Sequence, residues 1–240
     1  MGLLVISSPD YEISSTETVA RKSFKVSMGT VSNYRVAMDM SGRFNPLTSA
    51  VVTMEMQRGI CGDLAAFVAL QDAVALGVAD QTGILLDAAR LHHYTVMHCI
   101  FTLRADRVGT RMDLPLMAAA RKDPNYLLQS TEAVALLPQL HQAPSDLICE
   151  RHHGVSPFSG TDLDARLRDR GIDTLIVSGV SLNLGVVGLT IEAVNLGYTV
   201  VIATDAVAGF PLEYAQNVLR NTLAAIALQA TVAQIVAALA

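Results

Sequence analysis

The chain has 240 residues, of which 51% are hydrophobic, and a formal net charge of -5. No apolar run reaches the roughly 18 to 20 residues needed to cross a bilayer, and the 17 basic residues are scattered, so the composition argues against a membrane protein and a nucleic-acid partner. With these partners excluded, we expect the protein to bind a small molecule. The three cysteines lack CxxC spacing and no targeting signal is evident, so we expect a cytoplasmic protein.

Residues 1–45 lack sustained periodicity and are predicted to be an N-terminal extension: an edge hairpin, an arm on a neighbouring subunit, or a segment with little structure. In residues 46–240, short apolar runs alternate with helical stretches. The predicted strands are Ala50–Met56, Tyr94–Thr102, Asp146–Glu150, Thr174–Val180 and Tyr198–Ala203. The predicted helices are 73–90, 161–170, 185–196 and one that begins at Pro211. This alternation predicts an α/β three-layer sandwich, with a central, mostly parallel sheet flanked by helices.

Polar residues follow three of these strands, where a parallel sheet binds its ligands. They are Glu55 and Gln57, then His152 and His153, and finally the segment 181–185. Glu55 interrupts an apolar run, and a carboxyl group there must be paired or neutral, which favours a functional role. His98, inside a strand, is expected to be a satisfied core residue.

These three places resemble, in order and spacing, the motifs of the isochorismatase-like superfamily of cysteine hydrolases, which includes nicotinamidases, N-carbamoylsarcosine amidases and isochorismatases. Residues 54–57 resemble the family's Asp-x-Gln signature, with Glu55 in place of the aspartate. Residues 156–163 resemble Ser-Ala-Phe-x-Gly-Thr-x-Leu, and the family's lysine, six residues before the Phe, falls on His152. Residues 179–186 resemble Gly-Val-x-Thr-Asn-x-Cys-Val, with Gly185 at the cysteine position.

The resemblance implies the isochorismatase fold, and the changed residues imply chemistry without a thioester. In cysteine members, the aspartate takes the thiol proton, the lysine supports the charged pair and backbone N–H groups hold the oxyanion. Members with glycine at the cysteine position instead protonate a vinyl ether and let water add. We therefore predict a cofactor-free hydrolase with Glu55 as general acid/base, His152 as its partner and Gly185 in the oxyanion turn.

The candidate substrate-binding residues flank these positions. They are Gln57, Arg104, His153, Ser181, Leu182, Asn183 and Leu184. Gln57 and Asn183 could instead brace the turns at the strand ends. Arg104 could instead be a solvated loop residue. No metal is expected, because no Asp or Glu lies at ligand spacing from the histidine pair. Alternative functions are direct, water-mediated hydrolysis of a C–N bond and ligand binding without turnover.

Residues 223–240 carry Ala, Leu, Ile and Val on nearly every face of a helix, with few polar side chains among them. A monomer would expose much of this surface, and large apolar patches are rarely left in water. We therefore expect a homo-oligomer, either a dimer or a tetramer. The alternative is that residues 1–45 cover the same surface.

Overall fold

Six parallel strands form the central sheet in the computed structural model, which describes residues 40–240. The strands are β1 (Ser49–Met54), β2 (Thr95–Phe101), β3 (Leu147–Arg151), β4 (Thr174–Gly179), β5 (Thr199–Val207) and β6 (Leu228–Ala230). Their order across the sheet is β3-β2-β1-β4-β5-β6, and every neighbouring pair is parallel. This confirms the α/β architecture predicted from the alternation of elements.

Eight α-helices lie between and after the strands in this part of the chain. They are α1 (Arg58–Cys61), α2 (Val68–Ala75), α3 (Val78–Leu91), α4 (Ala118–Lys122), α5 (Leu163–Asp169), α6 (Val187–Asn195), α7 (Leu212–Asn217) and α8 (Val232–Leu239). A long connection, residues 102–146, joins β2 to β3 and contains only α4 and short 3-10 turns.

Several helix boundaries differ from those predicted from the hydrophobic periodicity. The predicted helix 73–90 is two helices, because Gly77 adopts a φ of 113° between α2 and α3. The helix expected from Gly185 begins at Val187, after a π turn over 182–186. The short strand β6 has no counterpart in the prediction. Three-residue strands carry too little alternation for period-two patterning to detect.

The sheet separates two apolar cores, and each strand contributes alternate residues to them. One core packs Leu85 and Leu86 of α3 and Ile235 of α8 against one face. The other packs Leu163 of α5 and Leu189 of α6 against the opposite face. Both faces are therefore covered, as parallel sheets require.

Strands β1 and β4 lie side by side at the point where the strand order reverses, which is where open α/β sheets bind their ligands. Gly179 ends β4 with a φ of 111°, and a Cβ there would lie 2.2 Å from the carbonyl oxygen of Met54. Only glycine permits this close approach. The residues after both strands are thereby brought together at one edge of the sheet.

The structure describes part of the predicted N-terminal extension and all of the apolar C-terminal stretch. Most of the proposed extension, residues 1–39, lies outside the described residues, whereas Met40 and Phe44 are buried in the core that contains α3. At the other end, α8 buries Val232, Ile235 and Leu239, and the exposed apolar residues of this helix are alanines. The C-terminal stretch thus packs one face on its own domain. No helix in residues 40–240 has the length and hydropathy to cross a membrane.

Candidate functional site

Glu55 follows directly on β1, and its backbone is held in an unusual conformation. Its φ of 52° lies in the left-handed region, which costs a residue other than glycine about 1 to 3 kcal/mol. The backbone N–H of Glu55 donates to Cys99 O at 2.9 Å, and Gln57 N donates to Glu55 O at 2.9 Å. One hydrogen bond to β2 and one within the turn therefore fix a strained backbone that presents one carboxylate.

Arg151, the last residue of β3, pairs with this carboxylate. Its Nη2 donates to Glu55 Oε1, and its guanidinium lies 4.9 Å from the centre of the Phe101 ring. The Arg151 side chain is 4% exposed and that of Glu55 is 15% exposed. Within the described residues, Arg151 Nη1 is buried and has no hydrogen-bond partner. A buried guanidinium thus holds Glu55 and keeps one donor group unused by the protein.

Burial raises the pKa of Glu55 above its ordinary value, and the charge and hydrogen bond of Arg151 offset only part of that rise. A carboxyl group with a raised pKa exchanges its proton closer to neutral pH than a surface carboxylate does. This is the property that a general acid or base needs.

His152, the predicted partner of Glu55, bonds elsewhere in the structure. Its Nδ1 donates to the carbonyl oxygen of Thr102 at 3.1 Å, beyond the end of β2. His153 lies against Gly160, where a Cβ would approach His153 Nε2 to 2.5 Å. The observed partner of Glu55 is Arg151, which the prediction from the sequence missed. The register of β3 beside β2 places it, because Arg151 is opposite Phe101.

Gln57 braces the strand ends with its fully buried amide. Its Nε2 donates to Phe101 O at 3.0 Å and to Val134 O at 3.2 Å, and its Oε1 accepts from Phe101 N at 2.8 Å. These bonds use the amide on both sides. Of the two roles considered for Gln57, the geometry matches the brace that connects β1, β2 and the loop before β3.

Segment 181–185 forms the turn between β4 and α6. Leu182 N donates to Ala208 O at 2.7 Å, and Leu184 N donates to Ser181 O at 3.0 Å. Ser181 Oγ donates to Asn183 Oδ1 at 2.9 Å, and Asn183 Nδ2 donates to Phe210 O at 3.3 Å. The side chain of Leu182 is buried, whereas Leu184 is 40% exposed. Asn183 therefore ties the turn to the loop after β5.

Gly185 is buried against the last side chain of β1. A Cβ at this position would lie 2.8 Å from Met54 Cε and 3.1 Å from Val180 O. Real Cβ atoms do not approach other atoms this closely without displacing them. A cysteine side chain at Gly185 would therefore need Met54 to move.

The three cysteines are buried and free. Burial raises the pKa of Cys61 to about 12. Cys99 and Cys149 are opposite each other on β2 and β3. A hydrogen bond from Cys99 lowers the pKa of Cys149 to about 7, and Cys149 is 1% exposed. Cys149 is thus the most ionisable of the three thiols, but its side chain is shielded from solvent.

Arg104, the loop arginine predicted to bind substrate, and its neighbour Arg111 are both exposed and paired. Arg104 donates to Asp106 through Nε at 2.9 Å and Nη2 at 2.7 Å. Arg111 makes the same kind of pair with Asp113. Both pairs are local, two residues apart along the loop. Neither arginine contacts Glu55 or Arg151.

A cavity of about 380 Å³ lies beside α1, α2 and the loop before β3. Cys61, Val74 and Leu137 line it, whereas Glu55 and Arg151 do not. Across residues 40–240, no three His, Cys, Asp or Glu side chains converge as a metal site would require.

Comparisons with known proteins identify the family to which this architecture is similar. The isochorismatase domain model matches residues 49–234. The isochorismatase family protein YwoC of Bacillus subtilis is 31% identical over 57% of this chain and 69% of its own length. The isochorismatase family protein YecD of Escherichia coli O157:H7 is 40% identical over 38% of this chain and 48% of its own length. A cysteine hydrolase from Pseudomonas syringae pv. phaseolicola 1448A superposes with a TM-score of 0.70 at 25% identity, covering 82% of this chain and 94% of that one.

Proposed function

The chain belongs to the isochorismatase family of hydrolases, and we propose that it cleaves a vinyl ether or a C–N bond of a small, anionic molecule by general acid/base catalysis from Glu55. The observation that carries the proposal is the buried ion pair of Glu55, which follows β1, and Arg151, which ends β3, at the carboxyl edge of the sheet. A strained backbone and a raised pKa at the same residue are hallmarks of functional sites.

In this mechanism Arg151 takes the role that the sequence suggested for His152. Its charge orients Glu55 Oε1, while the other carboxylate oxygen is left to exchange a proton with water or with the substrate. Arg151 Nη1 is sealed from solvent without a partner among the described residues, and an unpaired buried donor costs about 1 to 3 kcal/mol, so this arginine is placed at the expense of stability.

The proposed chemistry has no covalent cysteine intermediate. Gly185, at the position that resembles the family's cysteine, has no nucleophile and no room for a side chain without displacing Met54. Catalysis by Glu55 requires only water as the nucleophile. Any activity is therefore expected to survive treatment of the native protein with iodoacetamide.

The experiment is a substrate panel of isochorismate, its amino analogue and small cyclic amides, assayed with wild type, Glu55→Gln and Asp169→Asn. Asp169 is an exposed carboxylate at the end of α5 and serves as the matched control. We expect Glu55→Gln to lower kcat/KM by about 100-fold or more, in the range of lost acid/base catalysis, and Asp169→Asn to match wild type. Equal turnover by wild type and Glu55→Gln would refute the proposal.

Self-association is a second part of the proposal. Support comes from large apolar side chains that stay exposed, with Phe67 51% and Tyr214 57% exposed, and Phe210 packed edge-to-face on Phe67. Sedimentation at micromolar concentration tests it, and a monomer mass that persists as concentration rises would reject it.

A further inference from the structure

Tyr126 is a half-buried tyrosine in the long connection between β2 and β3, and the mechanism above leaves it without a role. The segment around it is anchored next to the end of β2, because Leu103 N donates to Leu127 O at 2.8 Å. The guanidinium of Arg107 also donates to the carbonyl oxygen of Pro124. These contacts hold Tyr126 at the sheet edge that carries Glu55.

The Tyr126 side chain packs on a cluster that also contacts the ion pair. Tyr126 packs against the small apolar cluster that contains Phe101 and Leu127. Arg151 lies over the ring of the same Phe101 and binds Glu55. Phe101 therefore belongs both to the cluster on which Tyr126 packs and to the contact with Arg151, the partner of Glu55.

The Tyr126 hydroxyl is free to bind a ligand. It makes no hydrogen bond within residues 40–240, and its oxygen is not among the sealed polar atoms that lack a partner. Burial and the negative charge of Glu55 raise the pKa of Tyr126 to about 12. The phenol therefore keeps its proton at neutral pH and can donate a hydrogen bond.

We propose that Tyr126 donates a hydrogen bond to the substrate oxygen at the bond that Glu55 helps to cleave, an inference that rests on the proposed function. The donor selects substrates with a carbonyl or ether oxygen at that position. For a C–N substrate, water gives a proton to Glu55 as its oxygen bonds to the carbonyl carbon, and the displaced π electrons move to the oxygen that Tyr126 binds. Glu55 then returns the proton to the leaving nitrogen as the C–N bond breaks.

Placement is tested without turnover, by NMR of protein labelled at tyrosine ¹³Cζ. Tyr126→Phe assigns the resonance, and Glu55→Gln should lower the midpoint of its titration by about half a pH unit or more. Tyr94 is the matched control, because burial alone raises its pKa and its hydroxyl lies 3.4 Å from Leu239 O. An unchanged Tyr126 titration in Glu55→Gln would overturn the inference, whatever the enzyme's activity.

The catalytic role is tested with the panel member that wild type turns over. Tyr126→Phe keeps the ring and its packing, so we expect unchanged thermal stability, a kcat about 100-fold lower and a KM within about threefold of wild type. Tyr94→Phe should match wild type in both constants. Tyr126→Phe in the Glu55→Gln background should cause no further loss if both groups act in one step.

Separate failures are recognised by separate results. If wild type turns over no panel member while Glu55→Gln shifts the Tyr126 titration, the proposed function fails and the apposition of the two side chains stands. If wild type is active and Tyr126→Phe has the kcat of Tyr94→Phe, the role of Tyr126 is refuted while that of Glu55 is retained.

Discussion

Two buried carboxylates of this sheet, Asp146 just before β3 and Glu55 just after β1, have opposite environments. Asp146 accepts from Arg90 Nε at 3.1 Å and Nη2 at 2.7 Å, and from Ala143 N at 2.9 Å. His98 Nε2 lies 3.2 Å from the same carboxylate, and His98 Nδ1 bonds Thr53 Oγ1 at 2.7 Å. Each of these groups has its partners within the protein, so this network is closed.

Glu55, in contrast, lies at a strained backbone position and pairs with a single guanidinium, that of Arg151. The Nη1 group of Arg151 keeps an unused donor within the described part of the chain. Burial alone would raise the pKa of either carboxylate. At Asp146 the hydrogen bonds from Arg90, Ala143 and His98 together lower it, whereas at Glu55 the pKa stays raised. A buried charge that stabilises a fold is saturated with partners, and one available for chemistry is not.

The largest expected effect is a difference in the free energy of unfolding between variants of the two carboxylates. Asp146→Asn removes a charge that the folded state favours and leaves Arg90 without its buried counterion, so the free energy of unfolding should fall by about 3 kcal/mol or more. Glu55→Gln also leaves a buried guanidinium, Arg151, without its carboxylate, but it removes a charge whose pKa shows that the folded state disfavours it, so its loss should be clearly smaller. Urea unfolding of both variants at pH 7 measures the difference, and equal losses would show that Glu55 is a structural ion.

The pH dependence of stability should differ in sign. Asp146 has a lowered pKa in the folded state, so its stabilisation is present above its unfolded pKa and is lost as pH falls through the folded value. Glu55 has a raised pKa, so stability is lost as pH rises from its unfolded value through its folded one. Unfolding free energies from pH 3 to 8 should change by up to about 1.4 kcal/mol per pH unit for each proton. Glu55→Gln should lose only the second slope; if that slope persists, another group causes it.

The turn at Gly185 allows a matched pair of glycine substitutions. Gly185→Ala places a Cβ 2.8 Å from Met54 Cε, the flexible end of a buried side chain, and 3.1 Å from Val180 O on the fixed backbone, so we expect a cost at the low end of the overpacking range, about 1 kcal/mol. Gly188, in the first turn of α6, would have its Cβ 3.4 Å from Val155 Cγ2, an ordinary contact. Gly188→Ala should therefore be neutral or slightly stabilising. Thermal unfolding of both variants tests this, and equal melting temperatures would contradict the crowding at Gly185.

The smallest effect is expected at Arg104, the exposed arginine proposed from the sequence to bind substrate. Its pair with Asp106 is local and solvated, and such pairs contribute less than about 1 kcal/mol. Arg104→Ala should change the melting temperature little and kcat/KM by less than about twofold. A KM increase of tenfold or more would instead restore Arg104 as a substrate-binding residue.

The strands could be predicted from the sequence because central parallel strands are nearly continuous apolar runs. Predicted strands 50–56 and 174–180 end within two residues of β1 and β4. The prediction that His98 is a satisfied core residue is confirmed by its bonds to Thr53 and Asp146. Glu55 stands out in the sequence because a carboxyl group within an apolar run needs a partner.

The partner of Glu55 was missed by one residue. Counting back from Phe158 placed the family's lysine position at His152, but the structure places Arg151 beside Glu55. Strand alternation contains the missing signal, because Arg151 lies two residues after Cys149 and so shares its buried face. The role proposed for Tyr126 could not be predicted, since it depends on how a long loop without periodicity folds against β2.

The most direct measurement compares Cys149→Ala with Glu55→Gln on the same substrate, with intact-protein mass spectrometry during turnover. Cys149 has the lowest pKa of the three thiols, about 7, and is the rival nucleophile. We predict that Cys149→Ala keeps kcat/KM within about threefold of wild type, that Glu55→Gln loses about 100-fold or more, and that no acyl adduct appears. Loss of turnover in Cys149→Ala together with a kinetically competent adduct on Cys149 in wild type would contradict a mechanism based on Glu55 and water.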